Sequence, residues 1–143
     1  MTARTSLFWI LGVLTVHFVG IYGFDVYRFV PDFDVPMHFF GGFSVGLASY
    51  TYVRFIQINT KTELPPLAQF LFVWGLVAII ATWWEFMEFV GDTFVYIKRD
   101  LPMQTSLADT MFDLFLGGAG SWCAFFYSLL RERNKHIRHV GQK

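Results

Sequence analysis

Four stretches of this chain are dominated by apolar residues, at about 7–24, 36–57, 67–90 and 107–130. Each is close to the roughly 20 residues that carry a helix across a bilayer core. Turn and breaker residues separate them. Pro31 and Pro36 flank the first connection, residues 59–66 end in Pro65-Pro66, and residues 91–106 contain Pro102. Proline has no backbone N–H and its ring collides with the preceding turn, so helices stop at such places. No connection is long enough to fold alone, and no internal repeat or low-complexity segment interrupts the pattern. The expectation is an all-α chain: one four-helix transmembrane bundle over residues 1–143, with residues 131–143 as a basic tail.

Polar residues recur inside the apolar stretches at helical spacing. Asp34, His38, Gly42 and Gly46 fall every fourth position in the second stretch. Asp109, Asp113, Gly117 and Ser121 do so in the fourth, with Gly118 and Gly120 beside them. In the third, Ala78, Ala81, Glu85, Glu88 and Asp92 form a three-four stripe. Residues at this spacing share one helix face. Small residues let membrane helices approach closely, so the three stripes are expected to face the bundle interior. Phe, Leu, Ile and Val then meet lipid. Trp9 and the pair Trp83-Trp84 sit where interfacial aromatics belong.

Composition agrees with a membrane location. Of 143 residues, 55% are hydrophobic and only 15% charged, less charge than a soluble domain of this size carries. Net charge is zero, so nothing suggests nucleic acid. Cys123 is the single cysteine, which excludes an internal disulfide and a thiolate metal site; inside an apolar stretch it reads as a packing residue. Arg4 precedes the first apolar run and no small-residue cleavage site follows, so that run reads as a retained signal anchor. Arg4, Arg54, Lys61, Arg131, Arg133, Lys135, Arg138 and Lys143 fall on one side; Arg28, Lys98 and Arg99 fall on the other. Eight against three puts both termini in the cytoplasm of a bacterial-type inner membrane. The basic tail then lies against anionic lipid.

That orientation brings Asp34 and His38, Glu85 and Glu88, and Asp109 and Asp113 to the outer leaflet together. A charge inside lipid costs about 2.5–3.5 kcal/mol on insertion scales. Five carboxylates crowded there must take up protons or hold cations. Five carboxylates and one imidazole suit a divalent metal such as Mg, Mn, Fe or Zn. Helix bundles use inward carboxylates in this way. Glu85, Glu88, Asp109, Asp113 and His38 are the candidate ligands. His38, oriented by Asp34, is the candidate general base, and Gln104 and Thr110 are candidate substrate contacts. Asp34 before Pro36 and Ser106-x-x-Asp109 also fit helix caps. Glu85, Glu88 and Asp113 lie inside their stretches, where capping is not available. His17 falls mid-helix and can reach the floor of the site; Asp25, Asp92, Arg28, Lys98 and Arg99 read as solvated.

Three ordered pieces, Phe33-Asp34-x3-His38-Phe39-x2-Gly42, Glu85-x2-Glu88 and Gln104-x4-Asp109-Thr110-x2-Asp113, carry a resemblance over about residues 33–120. Here the chain resembles the YjdF-like family of uncharacterised bacterial inner-membrane proteins. A looser likeness is to VanZ-like membrane proteins, which combine an Asp-x3-His motif with a late Asp. The resemblance implies a multi-span membrane protein and no particular activity. Members tend to have Gly and Asp after the Gln; Thr105 and Ser106 stand there in this chain, so one potential ligand is missing.

The inventory of acid, amide, hydroxyl and imidazole groups fits a metal-dependent hydrolase of an amphipathic or lipid-linked substrate. The same carboxylates fit a cation or proton transporter, although the inner halves of the stretches offer little polar relief beyond hydroxyls and Gln69. They also fit a non-catalytic structural or partner-binding module. Four spans bury little surface, which leaves room for a homodimer.

Overall fold

The computed structural model describes residues 3–95 and 103–140, without the side chains of Tyr27, Pro31, Val95 and residues 135–140. Among the described residues the chain is all helical. Helix α1 spans Ala3–Phe18 and continues through a π-helical turn, Val19–Gly23. Two 3-10 turns, Val26–Arg28 and Pro31–Phe33, lead into α2, Asp34–Thr60. Helix α3 spans Pro66–Val90, with a second π turn at Gly91–Val95, and α4 spans Leu107–Val140.

The breaks follow from local chemistry. Asp25 turns the chain in the left-handed region (φ 47), which Asp tolerates better than most residues. Lys61 does the same after α2 (φ 54), and its backbone N–H closes on the Gln57 carbonyl. Pro65 is extended and Pro66 takes the first turn of α3, where a missing N–H costs nothing. At the start of α4, Ser106 Oγ accepts from Asp109 N–H at 3.1 Å. Asp109 Oδ2 accepts in return from Thr105 N–H and Oγ1. Helix α4 runs ten residues beyond the apolar stretch, so much of the expected tail is helix.

Helix α2 is the centre of the packing and touches each of the other three; its broadest seam is with α4. That seam is built from glycine. A Cβ at Gly42 would fall on the Gly117 carbonyl, and one at Gly120 on the Phe39 carbonyl. One at Gly46 would lie 2.9 Å from Ala124 Cβ. Backbone to backbone, α1 approaches α2 alone among the long helices. The polar stripes expected to face inward do so on α2 and α4. On α3 the buried line runs through Val73, Val77, Glu85 and Glu88, and Ala78 faces out. Cys123 also lies on the exposed face of α4 rather than in the packing.

Among the described residues, thirteen buried side chains are polar or charged and eight are apolar, while Phe8, Ile58, Phe115 and Leu107 are more than half exposed. A water-soluble protein has the reverse distribution. Two segments, Ala3–Gly23 and Pro66–Phe94, are long and apolar enough to cross a membrane, with mean hydropathies of 1.7 and 1.8. At about 1.5 Å per residue, the 25 residues of α3 exceed the roughly 30 Å hydrocarbon core. Helices α2 and α4 are long enough but carry the Asp, His, Ser and Gly residues of the inward stripes.

Candidate carboxylate and histidine site

The first turns of α2 and α4 and the last turns of α3 come together at one end of the bundle. His38 sits at the junction. Its Nδ1 lies 3.5 Å from Glu85 Oε1 on α3, and its Nε2 lies 3.8 Å from Asp113 Oδ2 on α4. All three side chains are buried. Both distances exceed those of a close hydrogen bond. Glu85 Oε1 and Asp113 Oδ1 have no hydrogen-bond partner. Unpaired carboxylate oxygens away from water cost several kcal/mol unless neutralised.

Two constellations of ligand atoms result, each with its atoms within 4.8 Å of one another. One is His38, Glu85 and Asp113; the other is Asp34, Asp109 and Asp113. Asp113 belongs to both. Donors held around a single ion at 2.0–2.2 Å lie roughly 3–4 Å apart. His38 turns Nδ1 to Glu85 and Nε2 to Asp113, so one ring nitrogen is available to a single ion while the other faces a carboxylate.

The neighbouring groups fix these carboxylates. Gln104 Nε2 donates to Glu85 Oε2 at 3.4 Å, and the Thr110 hydroxyl donates to the Ser106 carbonyl of its own helix at 3.4 Å. The backbone N–H of Gln104 donates to Asp92 Oδ2 at 2.8 Å, pinning the connection before α4 onto the end of α3. Trp84 Nε1 donates to Glu88 Oε1 at 2.8 Å, and its ring meets His17 edge-on at 4.9 Å between centroids. Between α1, α2 and α3, above Gly117 of α4, lies a cavity of about 340 Å³ with His17 and His38 in its lining.

Every candidate site residue is therefore at this end of the bundle, with several roles revised. His38 is held between Glu85 and Asp113. The expected Asp34–His38 pairing does not form, since Asp34 Oδ1 accepts from Val35 N–H instead. Asp34 is not a side-chain cap of α2 either. Glu88 stands outside both constellations, occupied by Trp84. Gln104 meets Glu85, and the Thr110 hydroxyl donates to the Ser106 carbonyl. Asp109 is both helix cap and member of the second constellation. Asp25 and Arg28 are exposed, while Lys98 and Arg99 lie outside the described residues.

Sequence reasoning placed Trp84 at the lipid interface with Trp83. Trp83 is exposed, but Trp84 turns inward to Glu88 and His17. Its position four residues before Glu88, on the same helix face, was the available signal. A second polar group lies far along α2. Tyr50 Oη donates to Glu132 Oε2 at 2.9 Å, and Arg54 Nε pairs with Glu132 Oε1 at 3.1 Å.

Neither the curated proteins nor the solved structures hold a match to the chain. Residues 2–134 match the family described as "Predicted membrane protein (DUF2238)", and the chain belongs to that family of membrane proteins.

Proposed function

We propose that the protein is a four-span, YjdF-like protein of a bacterial inner membrane, with both termini cytoplasmic and a divalent-cation site in the outer leaflet. The site serves hydrolysis of an amphipathic or lipid-linked substrate. The observation that carries this reading is the pair of partnerless buried oxygens, Glu85 Oε1 and Asp113 Oδ1, on either side of His38. A cation would satisfy the oxygen on one side of the ring, and the N–H of the other ring nitrogen would serve the one opposite. With one nitrogen and several oxygens as donors, Mg, Mn, Fe and Zn are the fitting ions.

In this reading Asp113, Asp34, Asp109, Glu85 and His38 would hold the cation. The ring nitrogen not used for the ion donates to the facing carboxylate, as metal-bound histidines commonly do. A bound cation would supply water activation and would polarise a phosphoryl or carbonyl oxygen. The carboxylates left uncoordinated would be placed to accept a proton. Transport is less well supported. The buried hydroxyls of Ser44, Ser49 and Ser121 on the way to the other side each donate to a carbonyl of their own helix and form no relay.

The test is metal content of detergent-purified protein by elemental mass spectrometry, beside a Glu85→Gln/Asp113→Asn variant. The expected result is one or two equivalents of a divalent metal, lost in the variant. Protein that takes up no metal after incubation with Mg, Mn and Zn salts would overturn the reading.

A further inference from the structure

The cavity beside the carboxylate site has a lining unlike the site itself. Val13 and Leu14 of α1 face Val77 and Ile80 of α3 across it. From α2 and α4 the lining takes Gly41, Gly42 and Gly117 beside the side chains of Met37 and Val45. A Cβ at Gly41 would meet nothing within 4 Å, so the space there is real. The polar residues along the wall are few. The Ser44 hydroxyl already donates to the Gly41 carbonyl, and Trp84 Nε1 to Glu88. Only His17 and His38 remain, both toward the carboxylate end. A buried water needs two to four polar partners, so most of this cavity cannot hold ordered water.

The walls also say what surrounds the cavity. Helices α1 and α3 do not approach each other backbone to backbone, which leaves a cleft between them. They are also the two helices apolar enough to span a membrane. In the four-span reading above, the cleft lies at hydrocarbon depth, flanked by exposed side chains such as Ile80 and Leu11. Its volume of about 340 Å³ is within the range of small-ligand sites.

We propose that the cleft between α1 and α3 seats one acyl chain of a membrane phospholipid, with the lipid's polar end directed to His38. The seating of the chain depends only on the cleft. The direction of the polar group, and phospholipid as the substrate class, rest on the metal-site reading above. His17 and Trp84 meet ring against ring at the same end of the cleft as His38, and the chain enters from the side between α1 and α3.

The test uses the full chain in lipid nanodiscs doped with a phosphatidylglycerol that carries a diazirine midway along one acyl chain. After irradiation, adducts are mapped by peptide mass spectrometry. The expected adducts concentrate on Leu14 and Ile80. Two cleft-filling variants from different helices, Gly41→Leu and Val13→Trp, should each reduce them about tenfold, the equivalent of roughly 1.4 kcal/mol. Gly12→Leu should not, because Gly12 faces outward and a Cβ there also meets open space. Adducts spread evenly over outward residues such as Phe8 and Phe115, and unchanged in both filled variants, would overturn the proposal. Metal content is read on the same samples. Cleft labelling without metal supports the acyl seat while the metal reading fails; metal without cleft labelling overturns the acyl seat alone.

Discussion

Gly42→Ala is a one-carbon test of how the site is held. The added Cβ would fall on the Gly117 carbonyl and lie 2.6 Å from Gly117 Cα. Ordinary carbon contacts begin near 3.5 Å, so α2 and α4 must part by about 1 Å or distort. Neither neighbour is the tip of a flexible side chain, so no rotamer change relieves the clash. Overpacking of this kind costs about 1–3 kcal/mol. The effect reaches the site because Gly42 is one turn from His38 and Gly117 one turn from Asp113. The 3.8 Å approach of His38 to Asp113 would stretch to almost ~5 Å, beyond two donors on a single ion. Gly41→Ala is the control, since its Cβ meets nothing within 4 Å. The assays are denaturant unfolding in detergent and metal content on the same preparations. Gly42→Ala should lose both stability and metal, and Gly41→Ala neither. Equal stability and equal metal in the two variants would refute the account of the seam.

Two further outcomes follow from individual hydrogen bonds. Trp84→Phe keeps an aromatic ring against His17 but removes the donor to Glu88, leaving a buried carboxylate oxygen unpaired; thermal unfolding should show a loss of about 1–3 kcal/mol. Glu132→Ala removes the partner of both Tyr50 and Arg54, and because that ion pair is a third or more exposed the expected loss is only about 1 kcal/mol, smaller still at high salt.

Much of this arrangement was legible in the sequence, for a physical reason. Helical period is fixed, so Asp34, His38, Gly42 and Gly46 had to share a face whatever they packed against, and Pro65-Pro66 had to separate two helices. What stayed hidden depends on how each helix is rotated against its neighbours. The near-sequence partner of His38 was Asp34, one turn away, yet the ring is flanked by Glu85 and Asp113 from two other helices. The two adjacent tryptophans look equivalent in the sequence, but a 100° step along α3 sends one outward and one to Glu88. The full length of α4 is hidden for a different cause. Hydropathy marks where lipid ends, whereas the helix continues through Glu132 and the basic residues around it, which suit a helix in water equally well.

The glycine seam divides the molecule into a stiff half and an adjustable half. Between α2 and α4, backbone lies on backbone, so the spacing of His38 and Asp113 is set like a fixed gauge that side-chain substitution can break but not tune. Helix α1 has no such constraint. Its backbone approaches α2 alone, and it meets α3 through side chains such as His17 against Trp84, with open space beside them. Changes in what the protein accepts can therefore accumulate along Val13, Leu14 and Ile80 while the spacing that any chemistry depends on stays untouched.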